Sequence, residues 1–240
     1  MTLILGLACQ DGVVVAADSQ GTTTGMGQPP MRTFEDKLYQ LHKARIVVGC
    51  AGAVGVAQNV RAALEGMKRA VLEKPIADSR IKFQTTISNV LRLANQNYVE
   101  IDKTIGPPIC DTLIAGYMDG KACLLEVEPN GGAEQHEQRG FCALGGGHPY
   151  AHFACASMQH HAVRELGMEA AQVLAYRTIE TAIDVAAYGL GGPVQMWVID
   201  SRGARKLEGA TLNVIRDTAN TWKTLEKEFL AEAIERQSQQ

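Results

Sequence analysis

The sequence predicts an α+β fold in which blocks of antiparallel strands alternate with pairs of helices. Three observations support this class: β-branched runs open the chain, two later stretches carry apolar residues at helical spacing, and glycine-containing turn signals separate neighbouring strand segments. Strands joined by such short turns pair antiparallel, because parallel strands need long crossovers. We expect a single domain over residues 1–240, with residues 211–240 as a C-terminal helical extension.

The first half of the chain is predicted to contain four strands followed by two helices. The strands are expected at residues 3–8, 13–18, 37–41 and 46–50, with the first turn at Gln10-Asp11-Gly12. One helix is expected to carry its apolar face on Val56, Val60, Leu64, Met67 and Val71, and a second begins near residue 78. Two antiparallel helices of this kind would bury one face of a sheet.

The second half is predicted to repeat this order with a hairpin, two helices and two more strands. These elements are expected at residues 113–117, 122–127, 149–165, 169–187, 194–199 and 205–208, with the hairpin turned at Asp119-Gly120. An amphipathic helix closes the chain at residues 217–236, and its apolar stripe consists of Trp222, Leu225, Phe229, Ala233 and Ile234. Such a stripe usually packs on its own domain, but it can also pack on a neighbouring subunit.

Thr2 follows the initiator methionine and becomes the terminal residue if Met1 is removed. A threonine hydroxyl is a weak nucleophile, but a free α-amine on the same residue titrates near neutrality and can accept the hydroxyl proton. Thr2 is therefore a candidate nucleophile and base. Because a Met-Thr start is common, the residues that follow it carry the argument.

Asp18 ends an apolar strand, where an unpaired carboxylate would be costly, so it needs a cationic or hydrogen-bonding partner. Lys37 is the nearest candidate. A charged lysine beside Asp18 would favour the deprotonated hydroxyl or the neutral amine of Thr2. Taken alone, such a pair is more often a structural ion pair than a catalytic one.

Together these residues resemble the proteasome β-subunit family of N-terminal-nucleophile hydrolases, and among its members the small bacterial homologues and HslV-like peptidases. The resemblance continues through residues 111–117, 126–132 and 143–151 and covers the chain up to about residue 200. It implies a four-layer αββα sandwich, with two antiparallel sheets between helical layers. It also implies that Thr2, Asp18 and Lys37 form the catalytic core.

The resemblance assigns roles to four further residues. Gly52 would donate its backbone N–H to the oxyanion, and Cys50 would help to form the floor of the pocket that receives the substrate side chain. Thr22 would bind the substrate main chain, and its neighbour Gly21 would belong to the same substrate-binding segment.

Three positions depart from the family pattern. Gly146 stands where many members have a serine, and Ala187 and Leu190 stand where they have an aspartate and a second serine. Those groups support the terminal amine and its water by hydrogen bonding, so their loss is expected to retune the amine and to leave the nucleophile in place. Asp184, one helical turn earlier than Ala187, is a possible substitute for the missing acid.

Composition and charge limit the classes of partner and the cellular compartment that are expected for this protein. The formal net charge is −3 and no basic stripe occurs, so nucleic acid is not expected as a partner. No apolar run of about eighteen residues and no cationic leader is present, which indicates a cytoplasmic protein without a membrane partner. The six cysteines lie in apolar segments without a Cys-x-x-Cys pair and are interpreted as reduced core thiols.

The histidines raise the possibility of a metal site. His148 and His152 are four residues apart, and His160-His161 follow on the same predicted helix. No glutamate follows His148 and no third ligand is evident, which favours polar or interface histidines over zinc ligands. The sequence is therefore expected to need no metal and no cofactor.

The resemblance implies a self-compartmentalising threonine-type endopeptidase that acts on peptides or unfolded proteins. We expect a homo-oligomeric double ring, two rings of seven and thus fourteen subunits, with six-fold rings as the open alternative. Folded substrates would require an ATP-dependent unfoldase that the chain does not encode.

Two other functions remain open. A ring-forming scaffold with weak or no activity would suit the departures at Gly146, Ala187 and Leu190, and a small-molecule amidohydrolase could use the same terminal nucleophile.

Overall fold

Two five-stranded antiparallel sheets form the centre of the fold, in a computed structural model that describes residues 1–23, 31–101, 107–157, 162–186 and 189–238. The strands are β1 (Ile4–Cys9), β2 (Gly12–Ala17), β3 (Gln20–Thr23), β4 (Met31–Phe34), β5 (Leu38–Gln40), β6 (Ile46–Gly52), β7 (Cys110–Met118), β8 (Lys121–Val127), β9 (Ala133–Gln135), β10 (Phe141–Leu144), β11 (Gln195–Asp200) and β12 (Gly203–Leu207). The helices are α1 (Val54–Glu65), α2 (Arg69–Leu72), α3 (Ile76–Ile101), α4 (His148–Ser157), α5 (Met168–Val185) and α6 (Gly209–Ser238).

Sheet 1 has the strand order β10-β1-β2-β11-β12, and sheet 2 has the order β5-β6-β7-β8-β9. A separate hairpin, β3-β4, projects after β2. Three apolar clusters show the layering. One cluster joins sheet 1 to α4, α5 and the start of α6, another joins sheet 2 to α1 and α3, and the third fills the space between the sheets. The predicted four-layer sandwich is confirmed.

Burial explains why β1 and β2 lie at the centre of sheet 1. Every residue of both strands is buried, because the strands have a helical layer on one face and sheet 2 on the other. The turn between them falls where Asp11-Gly12 predicted it, with Cys9 opposite Gly12. The Asp119-Gly120 turn between β7 and β8 is also confirmed, and both of its residues have positive φ, as a type I′ turn requires.

Several predicted boundaries were wrong. The helix expected to include Met67 and Val71 is two helices, because α1 ends at Glu65 and Lys68 is extended. The helix expected to reach residue 165 is described only as far as Ser157, residues 158–161 lie outside the described residues, and Val163–Glu165 is a 3₁₀ turn. The short strands β3, β4, β9 and β10 were not predicted, since three or four residues carry little periodic signal.

The C-terminal helix begins at Gly209, earlier than expected, and within the described residues its buried apolar positions lie in its first half. Ile215 and Ala219 are buried and Trp222 is half-buried, whereas Leu225, Phe229 and Ile234 are exposed. Among the described helices, none combines the length and the apolar character needed to cross a bilayer. All six cysteines are free thiols, and five of them are buried, as expected.

Candidate active site

The main chain around Thr2 is fixed by hydrogen bonds on both sides. The Leu3 N–H donates to Asp18 Oδ1 at 2.9 Å, and the Asp18 N–H donates to the Leu3 carbonyl at 3.2 Å. On the other side, the Gly147 N–H donates to the Thr2 carbonyl at 3.0 Å. The backbone of Thr2 therefore lies between the end of β2 and the loop after β10, with its side chain half-buried.

The carboxylate of Asp18 is fully buried and accepts four hydrogen bonds. Besides Leu3, its donors are Lys37 Nζ at 2.7 Å, the Gln20 N–H at 3.1 Å and the Gly191 N–H at 3.4 Å. Four donors, one of them cationic, compensate the cost of burying this charge. The predicted pairing of Asp18 with Lys37 is therefore present in the structure.

Lys37 precedes β5 and its side chain is also almost fully buried. Its ammonium donates to Asp18 and to the Gln20 carbonyl at 2.8 Å. Burial lowers the pKa of Lys37, while the nearby Asp18 and Glu35 carboxylates oppose that shift. The Lys37 ammonium is therefore linked through the Asp18 carboxylate to the N–H of Leu3, the residue that follows Thr2.

Gly52 is the last residue of β6, is exposed and has a φ of +141°. A side chain there would collide with the carbonyl of Ile109, so both the conformation and the close approach require glycine. Its partner across the sheet is Cys110. An exposed glycine at a strand end can present its backbone to a ligand without side-chain obstruction.

Cys50 lies two residues before Gly52 and is half-buried, with its Sγ 3.8 Å from Thr112 Oγ1. Polar neighbours, of which the Cys110 thiol has the largest effect, lower the pKa of the Cys50 thiol, and burial opposes this effect. The site of Cys50 is therefore polar for a residue beside an apolar core.

Gly21 and Thr22 lie in β3, opposite Thr33 and Arg32 of β4. Thr22 is exposed, while a side chain at Gly21 would collide with Thr33. The neighbouring Gln20 ties the start of this hairpin to Asp18 through its N–H. The hairpin therefore begins at the buried carboxylate and extends away from it.

Met1 occupies the space beside two glycines. A Cβ at Gly146 would lie 2.7 Å from Met1 Cγ, and a Cβ at Gly189 would lie 2.7 Å from Met1 Cβ. Leu190, at one of the departures from the family pattern, is buried and packs beside Gly147. The absence of a side chain at Gly146 thus leaves room that Met1 fills.

Asp184 does not replace the missing acid. It is exposed near the end of α5, and within the described residues no hydrogen bond joins it to Met1 or Thr2. Ala187, the position of the missing acid itself, lies outside the described residues.

The histidines considered as metal ligands make other contacts. The Nδ1 atom of His148 is 2.9 Å from the Gly145 carbonyl, and its ring meets that of His152 edge to face with 5.8 Å between centroids. His152 also meets Phe141 in the same way at 5.2 Å. Within the described residues neither histidine belongs to a group of three metal-ligating side chains, and residues 160 and 161 lie outside that part of the chain.

Two residues of the site were missed from the sequence. Gly191 donates to Asp18 and accepts from the Ser19 N–H at 2.9 Å, and the Gly189-x-Gly191-Gly192 pattern could have indicated this close approach. Gln195 accepts from the Lys37 N–H at 3.0 Å and holds the start of β5. A single glutamine in a strand gives no sequence signal for that contact.

A family model described as Proteasome subunit matches residues 2–199. "Proteasome subunit beta" of Methanococcus vannielii is 28% identical over 205 residues, which cover 84% of each chain. "Proteasome subunit beta 1" of Thermococcus gammatolerans is 28% identical over 208 residues, which cover 86% of this chain and 93% of that relative.

Among solved structures, Anbu (ancestral beta-subunit) from Yersinia bercovieri matches with a TM-score of 0.70 over 95% of this chain and 96% of that chain. At 13% sequence identity this likeness shows the fold alone. The chain belongs to the proteasome subunit family.

Proposed function

We propose that the protein is a subunit of a self-compartmentalising threonine-type endopeptidase whose nucleophile is Thr2 after removal of Met1. The observation that carries this proposal is the buried Asp18 carboxylate, which binds both the Leu3 N–H and Lys37 Nζ. Family membership supports a protease in general terms. The arrangement at Asp18 supplies the charged group that an N-terminal hydroxyl needs beside it.

In the proposed reaction the Thr2 hydroxyl attacks a peptide carbonyl while its own α-amine accepts the proton. The cation of Lys37 stabilises the forming negative charge near Thr2, and the Gly52 N–H stabilises the oxyanion. The amine returns the proton to the leaving nitrogen, and water then hydrolyses the ester to regenerate Thr2.

Substrate binding is proposed to use the hairpin and the end of β6. Thr22 and the adjacent Gly21 would hold the substrate backbone, since both lie in β3, whose first residue, Gln20, donates its N–H to Asp18. Cys50 would form part of the floor of the side-chain pocket. No cofactor or metal takes part in this mechanism.

The proposed assembly is a homo-oligomeric double ring of 14 subunits in the cytoplasm, with six-fold rings as the alternative. Proteasome subunits form stacked rings and act on protein substrates. The exposed apolar stripe of Leu225, Phe229 and Ile234 gives α6 a surface suited to a neighbouring subunit. Enclosure would limit substrates to peptides or unfolded proteins, and an ATP-dependent unfoldase would be needed for folded ones.

A second candidate is a ring-forming scaffold without activity. It is favoured by one observation, the glycine at position 146 where many members have a serine, because a hydroxyl that supports the amine of Thr2 is then missing. The two candidates differ in whether Thr2 is exposed as the terminal residue and hydrolyses peptide bonds.

Intact-mass spectrometry before and after treatment with a peptide epoxyketone distinguishes them, because this reagent forms a stable adduct with a hydroxyl and a free amine on one residue. The endopeptidase predicts loss of Met1 and one adduct per chain, with no adduct in Thr2→Ala. Retained Met1, or a free Thr2 that hydrolyses no unstructured protein, would favour the scaffold.

A further inference from the structure

Three side chains with metal-ligating atoms converge where the edges of the two sheets meet. They are Glu126 in β8, His136 directly after β9 and Cys142 in β10. His136 Nε2 lies 2.7 Å from Glu126 Oε2, and Cys142 Sγ lies 3.7 Å from the same oxygen. All three ligand atoms lie within 4.8 Å of one another, so a single ion could contact them after small side-chain movements.

The cluster is enclosed. The side chain of His136 is 4% exposed and Cys142 is 2% exposed, whereas the Glu126 side chain is 19% exposed. Two buried ligands and one at the solvent boundary would leave a coordination position open to water. This cluster differs from a group of acidic residues on the surface, in which every ligand atom is a carboxylate oxygen that water already hydrates.

The donor set selects the type of ion. One carboxylate oxygen, one imidazole nitrogen and one thiolate suit Zn²⁺, which binds Cys, His and Asp or Glu in tetrahedral sites with three or four protein ligands. Mg²⁺ and Ca²⁺ prefer oxygen ligands throughout and would gain little from Cys142 or His136.

The surroundings of His136 support a ligand role. Its second ring nitrogen, Nδ1, faces Glu134 Oε1 at 3.7 Å, and carboxylates commonly orient metal-bound histidines from that side. Its backbone is also fixed, because the His136 N–H donates to the Leu124 carbonyl at 2.9 Å and its own carbonyl accepts from the Gly140 N–H at 3.0 Å. The imidazole therefore projects from a rigid turn.

We propose that Glu126, His136 and Cys142 bind one Zn²⁺ per chain, with water as the fourth ligand. Binding releases the proton of the Cys142 thiol to solvent and places Zn²⁺ between Glu126 Oε2 and His136 Nε2. The ion then joins β8 of sheet 2 to β10 of sheet 1. Because β10 leads directly into the Gly145–Gly147 loop that holds the Thr2 carbonyl, this link would fix one wall of the candidate active site. The site does not depend on the proposed peptidase activity.

Cobalt titration tests the proposal with the full-length protein. After treatment with a chelator, Co²⁺ is added and the thiolate-to-cobalt charge-transfer band is recorded, followed by displacement with Zn²⁺. We expect saturation at one equivalent per chain and complete displacement by Zn²⁺. Cys142→Ser should abolish the band, while the matched variant Cys155→Ser, at another buried thiol, should keep it.

Glu134→Gln provides a test that does not disturb the core, because Glu134 is exposed. We expect its affinity for Zn²⁺ to fall by about 10- to 100-fold with an unchanged far-UV spectrum. Absence of the charge-transfer band in the parent protein, its persistence in Cys142→Ser, or unaltered affinity in Glu134→Gln would overturn the proposal and leave a hydrogen-bonded Glu126–His136 pair. The same measurements on Thr2→Ala separate this result from the fate of the peptidase.

Discussion

The charged pair of Asp18 and Lys37 is the residue-scale feature on which the site depends. Both side chains are buried, and each compensates the charge of the other. Replacing only one of them leaves an uncompensated charge in the core, so its effect on folding and its effect on activity have to be separated.

We expect Lys37→Met to lower the free energy of unfolding by about 3 kcal/mol and the peptidase rate by on the order of 100- to 1000-fold. In the double variant Asp18→Asn, Lys37→Met the free energy of unfolding should partly recover, because no unpaired charge remains, whereas activity should stay lost. Urea unfolding and peptide hydrolysis measure the two effects. Equal loss of stability in the single and double variants would contradict the pairing argument.

A substitution at Gly146 tests whether the departure from the family pattern at this position limits peptide hydrolysis. If Met1 is removed, Gly146→Ser places a hydroxyl next to the terminal amine without a clash, and we expect peptide hydrolysis to rise about tenfold. Gly167→Ser is the control, because nothing lies within 4 Å of a Cβ at that glycine. Unchanged hydrolysis in both variants would show that the amine needs no further hydroxyl.

Asp111 gives a prediction for pH dependence. Burial, together with repulsion from Glu126 and Glu128, raises its pKa to about 6 from an ordinary 3.8. The folded state therefore binds the proton more tightly than the unfolded state, and stability falls as pH rises between these two values.

Asp111→Asn should remove this penalty. Because Asp111 is only partly buried, we expect a discounted gain of about 1 kcal/mol in the free energy of unfolding at pH 7 and no gain below pH 4. Urea unfolding with a chelator present measures both values, and the exposed Asp119→Asn serves as the control. A gain that is the same at both pH values would contradict the electrostatic cause.

At the scale of elements, Trp222 and its polar neighbours join α6 to α5, alongside the buried Ile215 and Ala219. The guanidinium of Arg177 lies 4.0 Å from the Trp222 ring centroid and also pairs with Glu226, while Lys223 pairs with Glu180. The indole thus anchors the half of α6 that contacts the domain.

We expect Trp222→Ala to lower the free energy of unfolding by about 2 kcal/mol, through lost apolar contact and lost cation–π attraction, and Trp222→Phe to retain more than half of it. The urea midpoint should shift while the m-value stays constant. A lower m-value would instead indicate that α6 detaches as a unit.

Long elements were predictable from the sequence, whereas four of the short strands, β3, β4, β9 and β10, were not. The β-branched residues around a turn predict strands β1 and β2, and apolar residues repeated at helical spacing predict α3 and α5. Strands β9 and β10 contain three and four residues and depend on their partners, β8 and β1, for stability. The pairing of β10 with β1, across more than one hundred residues, cannot be read from local pattern.

The same reasoning applies to the candidate sites. The Asp18–Lys37 pair was predictable because a carboxylate that ends an apolar strand requires a partner. The cluster of Glu126, His136 and Cys142 was not, since its spacing matches no metal-binding motif and the residues meet only when the two sheets pack. From the sequence, His148 and His152 were considered as metal ligands instead, because a spacing of four residues places both on one face of a helix.

At the scale of the whole molecule, the second half of α6 is the feature that the isolated fold leaves unexplained. The predicted stripe is helical as expected, but Phe229 is 74% exposed and Leu225 and Ile234 are also exposed. A ring assembly would bury this surface.

We expect Phe229→Glu to reduce the assembled fraction by at least tenfold in native mass spectrometry, with an unchanged far-UV spectrum, because a charge would be placed in an apolar contact. Thr224→Glu adds the same charge at another exposed position of the helix and should leave assembly intact. Full assembly of Phe229→Glu would remove α6 from the proposed subunit contacts.

The position of the first strand also sets an order of events during synthesis. Met1 rests against Gly146 and Gly189, and β10, which pairs with β1, is made more than 130 residues after it. Until the ribosome has translated this later segment, the amino terminus is a free end that an aminopeptidase can reach. Once the sheet closes, the Thr2 and Leu3 backbones are hydrogen-bonded on both sides. Removal of Met1 is therefore expected to compete with folding. Slow translation of the second half of the chain would favour the form that lacks Met1.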